Sequence, residues 1–406
     1  MRSHNATSWR FSPTATALLL SPFNLLAALG MDMYLPVVPR MADALGTGAG
    51  AVQLTLTVYL VLLGAGQLLF GPLSDRLGRR PVLLGGGLLF LAASFGLALA
   101  SSSAAFLALR VAQACGASAC MVVAFATVRD LYAGRDEGSA VYGLLGALLA
   151  VVPAVGPLLG ALVDGWAGWR AIFVLLGAGM LAALAAAWVL WPETRARTAT
   201  GVRPAALLQP LRSRRFGWYM LGYSAGMGAF FVFFSISPWL MMGRLGLSQV
   251  AFSALFATVA LSMIASARVV GRMAPRWGMR RSLQGAMACL VAAGLLLGAG
   301  ELFAPRSVAA LIAPMWLAGA GIAAANAVAP NGAMRGFDGI AGTATALFFC
   351  LGGVLLGTAG TAAATLLPRD THWPVVAYCL ALPLCVLAVS WRARNPEPGT
   401  PRPGTE

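Results

Sequence analysis

The chain has 406 residues, of which 59% are hydrophobic and only 10% are charged, whereas a soluble domain carries about 25% charged residues. This composition excludes a soluble enzyme or binding domain and indicates an integral membrane protein. The net charge is +15 and every basic residue is arginine, which excludes a P-loop lysine and a lysine Schiff base. The arginines lie in short loops between apolar runs, an arrangement that reflects membrane topology and argues against nucleic-acid binding.

Twelve apolar runs of membrane-spanning length follow one another, and we predict a helix for each. Their approximate ranges are 14–39, 51–72, 81–100, 103–130, 138–163, 169–191, 216–242, 247–270, 282–300, 306–331, 339–367 and 373–391. A polar stretch with Pro, Gly, Thr and Arg separates six spans from six. We therefore expect an all-α protein with a first six-helix bundle at 1–191, a linker at 192–215, a second bundle at 216–393 and a tail at 394–406.

The arginines are unevenly shared among the loops. Twenty-one of the 28 lie in the two tails and the even-numbered loops, and five lie in the odd-numbered loops. Because cytoplasmic loops are enriched in Arg and Lys, both termini and the linker are predicted to be cytoplasmic.

Cysteine and histidine are sparse and scattered. The six cysteines all fall within apolar spans without a CxxC pair, and the two histidines are His4 and His372. We interpret the cysteines as core residues and predict no metal site, cofactor or catalytic constellation.

A short turn motif occurs twice. The loop after span 2 reads GPLSDRLGRRP (71–81), and the loop after span 8 reads GRMAPRWGMRR (271–281). The shared positions are Gly71, Arg76, Gly78 and Arg80, which recur as Gly271, Arg276, Gly278 and Arg280. Two similar six-helix halves in the same orientation are typical of secondary transporters.

The first of these turns resembles the signature loop of the major facilitator superfamily. LALRVAQACGAS (107–118) resembles its arginine-bearing motif on helix 4, and VVPAVGPLLGALV (151–163) resembles the Gly-Pro motif on helix 5 of its antiporters. MDMYLPVVP (31–39) is similar to the D-x-Y-L-P-x-x-P element of twelve-helix drug:proton antiporters. The resemblance covers the whole chain and is strongest to the bicyclomycin and chloramphenicol resistance branch.

That resemblance implies a fold of twelve helices in two pseudo-symmetric bundles in the bacterial cytoplasmic (inner) membrane. It implies a proton-coupled antiporter that exports chloramphenicol- or florfenicol-like drugs by alternating access. The expected partners are a small-molecule drug, protons and the lipid bilayer, and we expect a monomer.

Of the thirteen acidic residues, Asp32 alone falls within a predicted span rather than at its edge, since Asp130 is the last residue of 103–130. An acid near the middle of a membrane helix costs about 2.5–3.5 kcal/mol on insertion scales, so it needs a partner, a water-filled cavity or a function. Counting along the helices places Asp32 and Arg110 at the same depth, about 10 Å below the outer boundary. The resemblance makes spans 1 and 4 neighbours, so we predict that Arg110 is the partner of Asp32 and that Asp32 carries the proton. A purely structural salt bridge is the alternative.

The predicted substrate cavity combines polar residues of the first half with aromatic residues of span 7. Gln113 follows Arg110 at i+3, where it binds a ligand, holds the arginine or simply packs. The aromatic residues of span 7 cannot all share one face, and we choose four of them for the cavity. The full predicted set is Asn24, Asp32, Tyr34, Tyr59, Arg110, Gln113, Tyr223, Phe230, Phe231 and Phe234.

Asn24 departs from the pattern of the exporters that this segment resembles, in which the position is typically an aspartate. Either the chain couples through Asp32 alone, or it lacks a second acid that helps binding or transport. Asn24 and Asp32 are eight residues apart on one predicted helix, about 12 Å along its axis.

Two further motifs take their roles from the resemblance. A cytoplasmic latch that stabilises the outward-facing state is expected at Gly71, Asp75, Arg76, Gly78, Arg79 and Arg80. Pro275 stands where Asp75 stands in the first copy, so we expect a stronger latch in the first half. The helix-5 motif, with Pro153, Gly156, Pro157 and Gly160, is expected to bend its helix and allow close helix approach. Arg268 lies toward the inner end of span 8, where it can extend to the membrane surface.

Other function classes remain at this point. A secondary transporter of another solute, such as a sugar, a metabolite or several drugs, fits the same fold. A membrane enzyme would need a second titratable group near Asp32, and a passive channel would conduct without saturation.

Overall fold

A computed structural model of the chain describes residues 11–132, 136–194, 209–337 and 340–392. In these residues the secondary structure is helical without strands, and twelve helices are long and apolar enough to cross a membrane. They are α1 (Pro13–Ala44), α2 (Ala49–Leu77), α3 (Arg79–Leu99), α4 (Ser103–Tyr132), α5 (Asp136–Ala167), α6 (Trp169–Leu190), α7 (Arg214–Arg244), α8 (Gln249–Trp277), α9 (Met279–Phe303), α10 (Val308–Met334), α11 (Ala341–Leu366) and α12 (Trp373–Arg392). The predicted fold class and its twelve spans are confirmed. Most of the predicted linker and the whole predicted tail lie outside the described residues.

The helices continue beyond the apolar runs, because polar residues at their ends are paired. Asp164 lies inside α5 and accepts a hydrogen bond from Arg40, and Glu301 lies inside α9 with its carboxylate 2.7 Å from Arg244. The expectation that Asp32 is the only acid within a span is therefore wrong. The ends of apolar runs underestimate helix length when an ion pair neutralises the next turn.

Both α1 and α7 become irregular toward the same end. The regular helix of α1 ends at Asp32 and is followed by a 3-10 turn at Leu35–Val37, and α7 ends in a π-helical turn at Trp239–Arg244. Proline cannot donate a backbone hydrogen bond, and Pro36 and Pro238 lie at these two changes. Asp32 thus occupies the last regular turn before a break.

The duplicated turn has the same backbone geometry in both copies. Gly78 and Gly278 each separate two long helices by a single residue, with φ of 104° and 80°. Only glycine adopts such angles without strain. Arg80 donates to the carbonyl oxygen of Trp188 at 2.7 Å, and Arg280 donates to that of Ser390 at 2.7 Å. Each copy therefore caps the end of the last helix of its own half.

The packing repeats with an offset of six helices. In α1–α6, called the first half, α1 packs against α4, α5 and α6. In α7–α12, called the second half, α7 packs against α10, α11 and α12. The halves meet where α2 contacts α11 and where α5 contacts α8, two contacts that correspond to each other under the same offset.

The halves are closed against each other at one end. We call the end with the α2–α3 and α8–α9 turns the arginine-rich end, and the opposite end the arginine-poor end. Three hydrogen bonds join the halves toward the arginine-poor end: the Thr57 and Thr361 hydroxyls at 2.6 Å, Ser253 to the Pro157 carbonyl at 3.1 Å, and Gln249 to the Pro36 carbonyl at 3.2 Å. The buried residues of α8 all lie between Phe252 and Ala260, in the part nearer that end. Among the described residues, the halves are therefore open toward the arginine-rich end.

This closure predicts which positions cross-link. A Thr57→Cys/Thr361→Cys variant should form a disulfide rapidly, because the two hydroxyl oxygens lie 2.6 Å apart. The measurement is whether the halves stay joined after cleavage at a protease site inserted in 192–215, with and without reductant. Gly143→Cys/Gly271→Cys is the control on α5 and α8, because a Cβ at either glycine would meet nothing within 4 Å. Equal cross-linking of both pairs would contradict the described closure.

Candidate functional site

A cavity of about 200 Å³ lies between the halves near mid-height. Its lining residues are Met31, Asp32, Leu60, Leu63, Gly64, Gln67, Met121, Tyr223, Met227, Phe230, Phe231, Phe234, Phe349, Gly353 and Leu356. Asp32 is the one charged side chain of this lining. This volume is smaller than the pockets of about 300–1,000 Å³ that drug-sized ligands usually occupy.

Five of the ten predicted cavity residues line this cavity: Asp32, Tyr223, Phe230, Phe231 and Phe234. The aromatic wall comes from one face of α7, since Tyr223 and Phe234 are about three turns apart. Phe233 points elsewhere and stacks on Phe256 of α8 with ring centroids 5.4 Å apart. The choice among the span 7 aromatics therefore selected the face that lines the cavity.

The other five predicted residues, Asn24, Tyr34, Tyr59, Arg110 and Gln113, do not line the cavity. Each is buried inside the first half. Asn24 is 1% exposed, and neither its amide nitrogen nor its amide oxygen has a hydrogen-bond partner in the part of the chain that the structure describes. Asn24 lies on the same helix as Asp32, as predicted. Its side chain, however, faces the interior of the first half and not the cavity.

Arg110 is the centre of a buried cluster. Its guanidinium carbon lies 4.8 Å from the ring centroid of Tyr34 and 4.5 Å from that of Tyr59. Its Nη1 donates to the Gly30 carbonyl oxygen and to the Gln113 side-chain oxygen, each at 2.8 Å. Desolvated cation–π contacts are worth about 2 kcal/mol or more. The cluster thus fixes α4 to α1 and α2.

Gln113 and Tyr59 extend this cluster. Gln113 donates from its amide nitrogen to Ser94 of α3 at 2.9 Å, and the Tyr59 hydroxyl donates to the Ala27 carbonyl of α1 at 2.6 Å. Of the roles considered for Gln113, the structure shows the one in which it holds the arginine.

Asp32 and Arg110 form no salt bridge, so the predicted direct pairing is wrong for this conformation. Arg110 reaches α1 through the Gly30 carbonyl, two residues before Asp32. The depth argument placed both residues at one height, but Asp32 faces the cavity whereas Arg110 faces the interior of the first half. Asp130, Asp164 and Glu301 are also largely buried and each pairs with an arginine. Asp32 has no such partner among the described residues.

The helix-5 motif holds α1 in place at Asp32. A Cβ at Gly156 would lie 2.6 Å from the Asp32 Cβ, and a Cβ at Gly160 would overlap the Met33 carbonyl. The carbonyl of Pro157, on the same helix, accepts the hydrogen bond from Ser253 of the second half. Pro153 lies inside the same helix one turn before Pro157. The motif therefore contacts both the acid-bearing helix and the opposite half.

The residues predicted to form a latch make ion pairs within the first half. Arg79 is buried and binds Asp75 at 2.6 Å and Asp130 at 2.7 Å. The Glu193 carboxylate accepts from the backbone nitrogens of Arg79 at 2.8 Å and Arg80 at 3.2 Å, which caps the start of α3. These contacts join α2, α3, α4 and the segment after α6. Gly71 lies in α2, Gly78 forms the turn, and Arg76 is exposed at the end of α2.

Sequence reasoning missed several lining residues. Met227 lies four residues after Tyr223 and three before Phe230, so the helical period of the aromatic wall would have found it. Gln67 is a polar residue in an apolar stretch of α2, and this contrast would also have indicated a cavity residue. Leu60, Leu63, Met121 and Leu356 give no sequence signal, because apolar residues that face a cavity do not differ in type from those that face lipid.

No three His, Cys, Asp or Glu side chains of the described ranges are grouped so that they hold a metal ion. Two alike bundles of helices, with a central cavity that contains one unpaired acid, define a secondary transporter. Residues 20–361 match the Major Facilitator Superfamily, and the chain belongs to this family of multi-pass membrane proteins.

Two curated relatives cover most of the chain. It is 63% identical to a chloramphenicol resistance protein of Pseudomonas aeruginosa over 387 residues, which are 95% of this chain and 92% of that relative. It is 34% identical to multidrug resistance protein D of Escherichia coli K12 over 336 residues, which are 81% and 84% of the two chains. The crystal structure of the peptide transporter POT in complex with sulfate superposes with a TM-score of 0.75 at 13% identity, covering 93% of this chain and 94% of that one. That structure shares the fold.

The contact between Gly156 and Asp32 predicts a local destabilisation. Gly156→Ala should lower the free energy of unfolding by about 1–3 kcal/mol, because the added methyl overpacks the α1–α5 contact. Gly146→Ala on the same helix is the matched control, since a Cβ at Gly146 meets nothing within 4 Å. Thermal unfolding of the purified variants in detergent compares the two. Equal melting temperatures for both variants would argue against this contact.

Proposed function

We propose that the protein is a proton-coupled antiporter that exports chloramphenicol-like drugs from the bacterial cytoplasm and so confers resistance. Membership of the transporter family and the 63% identical chloramphenicol resistance relative support drug efflux. The proposal of proton coupling rests on one observation, the unpaired Asp32 in the wall of the central cavity.

The proposed orientation has the arginine-rich end in the cytoplasm of a cell whose inner membrane holds the protein, with both termini on that side. The excess of arginines in the even-numbered loops supports it. In that orientation the open end of the structure faces the cytoplasm. The drug therefore loads from the cytoplasmic side. Because one chain forms the whole cavity, we propose that a monomer is sufficient.

Asp32 is the proposed proton carrier. A charged carboxylate without a counter-ion is costly in an apolar cavity, and either a proton or a polar group of the drug reduces that cost. Because proton and drug relieve the same unfavourable charge, binding of one disfavours binding of the other. This competition is the requirement for exchange rather than co-transport.

The cavity wall suits an aromatic, uncharged drug with a few hydrogen-bonding groups. Phe230, Phe231 and Phe234 supply ring faces for stacking, which is worth about 0.5–1.5 kcal/mol per aromatic pair beyond burial. Asp32, Gln67 and the Tyr223 hydroxyl are the polar groups that can bind a hydroxyl or amide of such a drug. A few polar anchors in an aromatic pocket are typical of small-molecule sites.

The test is drug accumulation in cells that express the wild type, Asp32→Asn, Asp32→Glu or Asp43→Asn. Wild-type cells should accumulate less chloramphenicol and florfenicol, and an uncoupler of the proton gradient should abolish the difference. Asp32→Asn should lose at least 90% of the uncoupler-sensitive export, since an amide cannot carry the proton. Asp32→Glu should retain part of it.

Asp43→Asn is the matched control, because Asp43 belongs to α1 but is exposed at the arginine-poor end. Equal uncoupler-sensitive export by Asp32→Asn and wild type, at equal membrane levels, would overturn the role of Asp32. Unchanged drug accumulation in wild-type cells, together with proton-driven uptake of another solute in vesicles, would instead indicate a different substrate.

Asn24 provides a further discriminating variant. Because Asn24 lies behind the cavity wall, Asn24→Asp should not restore export to Asp32→Asn. Drug accumulation in the double variant measures this directly. Restored export would mean that an acid at position 24 reaches the transport pathway. Position 24 would then be the site of a second proton-carrying acid that this chain lacks.

A further inference from the structure

One face of α8 is exposed along its length and changes from apolar to basic toward the arginine-rich end. Leu261, Ala265, Arg268, Arg272 and Arg276 are all exposed and are spaced at i, i+4, i+7, i+11 and i+15. This spacing places them on one side of a helix. We call Arg268, Arg272 and Arg276 the basic stripe.

Other faces of α8 are occupied by protein. Phe256 packs on the rings of Phe230 and Phe234 of α7, and Ser253 bonds to α5. A Cβ at Gly319 of α10 would meet Ser262. The exposed stripe is therefore the side that is left for lipid, and its apolar part, with Leu261 56% exposed, is suited to acyl chains.

The three arginines lie in the last three turns of α8, toward the arginine-rich end. Arg276 lies one residue before the end of α8, and Arg268 lies about 12 Å deeper along the helix. A deeply placed arginine extends its charged group along the helix toward the headgroups. The basic stripe is therefore within reach of the headgroup layer at the arginine-rich end.

The first half lacks this stripe and neutralises its own arginines. Leu68 and Pro72 stand where the second copy has Arg268 and Arg272, and Asp75 stands where it has Pro275. In the first half, acids accept from arginines at this end, as Asp130 does from Arg79. At the same end of the second half, the described ranges contain no acidic residue. Among the described residues, therefore, no acid at this end of the second half offsets the charge of the basic stripe.

We propose that this face of α8 binds an anionic phospholipid, with its phosphate on Arg268, Arg272 and Arg276 and an acyl chain along Leu261 and Ala265. Guanidinium groups bind phosphate oxygens through paired, charge-assisted hydrogen bonds. Basic clusters beside membrane helices recognise anionic headgroups in this way. A zwitterionic lipid with the same acyl chains binds more weakly, because its ammonium group opposes the arginines.

Native mass spectrometry of the purified full-length protein tests this, with phosphatidylglycerol and phosphatidylcholine of identical acyl chains titrated separately. The wild type should retain phosphatidylglycerol preferentially. Arg268→Gln/Arg272→Gln/Arg276→Gln should weaken its binding by up to about 100-fold, near fivefold for each arginine, and leave phosphatidylcholine binding unchanged. Single variants, Arg272→Gln first, provide the same test if the triple variant does not fold.

The matched control is Arg212→Gln/Arg214→Gln/Arg215→Gln, which removes the same charge from exposed arginines at the start of α7. It should weaken phosphatidylglycerol binding less than about twofold, whereas an equal loss in both triple variants would show diffuse attraction and overturn the proposal. Millimolar inorganic phosphate should not displace phosphatidylglycerol. Displacement by phosphate, or equal binding of the two lipids to the wild type, would likewise overturn a lipid site.

Discussion

The burial of Arg110 is the interaction on which the position of the acid depends. A guanidinium inside a membrane bundle is tolerated only where protein groups replace water. Two tyrosine rings, the Gly30 carbonyl and Gln113 do so, and they come from α1, α2 and α4. Because Gly30 lies two residues before Asp32, the same contacts fix the last regular turn of α1. Arg110 therefore acts on Asp32 through the backbone of α1 rather than through an ion pair.

The halves repeat each other in packing but differ in chemistry. The first half contributes the acid and its supporting arginine, and the second half contributes the aromatic wall of α7. The one-residue glycine turns and the caps from Arg80 and Arg280 are shared. The charge network of Asp75, Arg79 and Asp130 exists only in the first copy, since Pro275 removes the acid from the second. Duplication thus preserved the scaffold, while the chemistry of each copy diverged.

Apolar runs were sufficient to predict twelve helices. Helical periodicity showed that the span 7 aromatics cannot all face one side, and the four chosen for the cavity, Tyr223, Phe230, Phe231 and Phe234, do line it. The incorrect predictions share one cause. Sequence spacing gives the height of a residue along its helix, but the direction of its side chain depends on the packing of neighbouring helices. Asp32 lines the cavity with α5 packed against its Cβ at Gly156, and Arg110 faces inward because two tyrosine rings contact it. Likewise, Asp164 and Glu301 lie inside helices because Arg40 and Arg244 reach them, which no apolar run reveals.

The contacts between the halves differ in kind from those within them. Neutral hydrogen bonds, such as those of Thr57, Ser253 and Gln249, contribute about 0.5–1.5 kcal/mol each. Within a half, buried ion pairs such as Arg79 with Asp130 cost about 3–5 kcal/mol to break by removing one partner. Motion between the halves therefore meets less resistance than distortion of either half. Ser253 binds the carbonyl of Pro157, one residue after the glycine that packs on Asp32, so the acid and a contact between the halves meet at the same turn of α5.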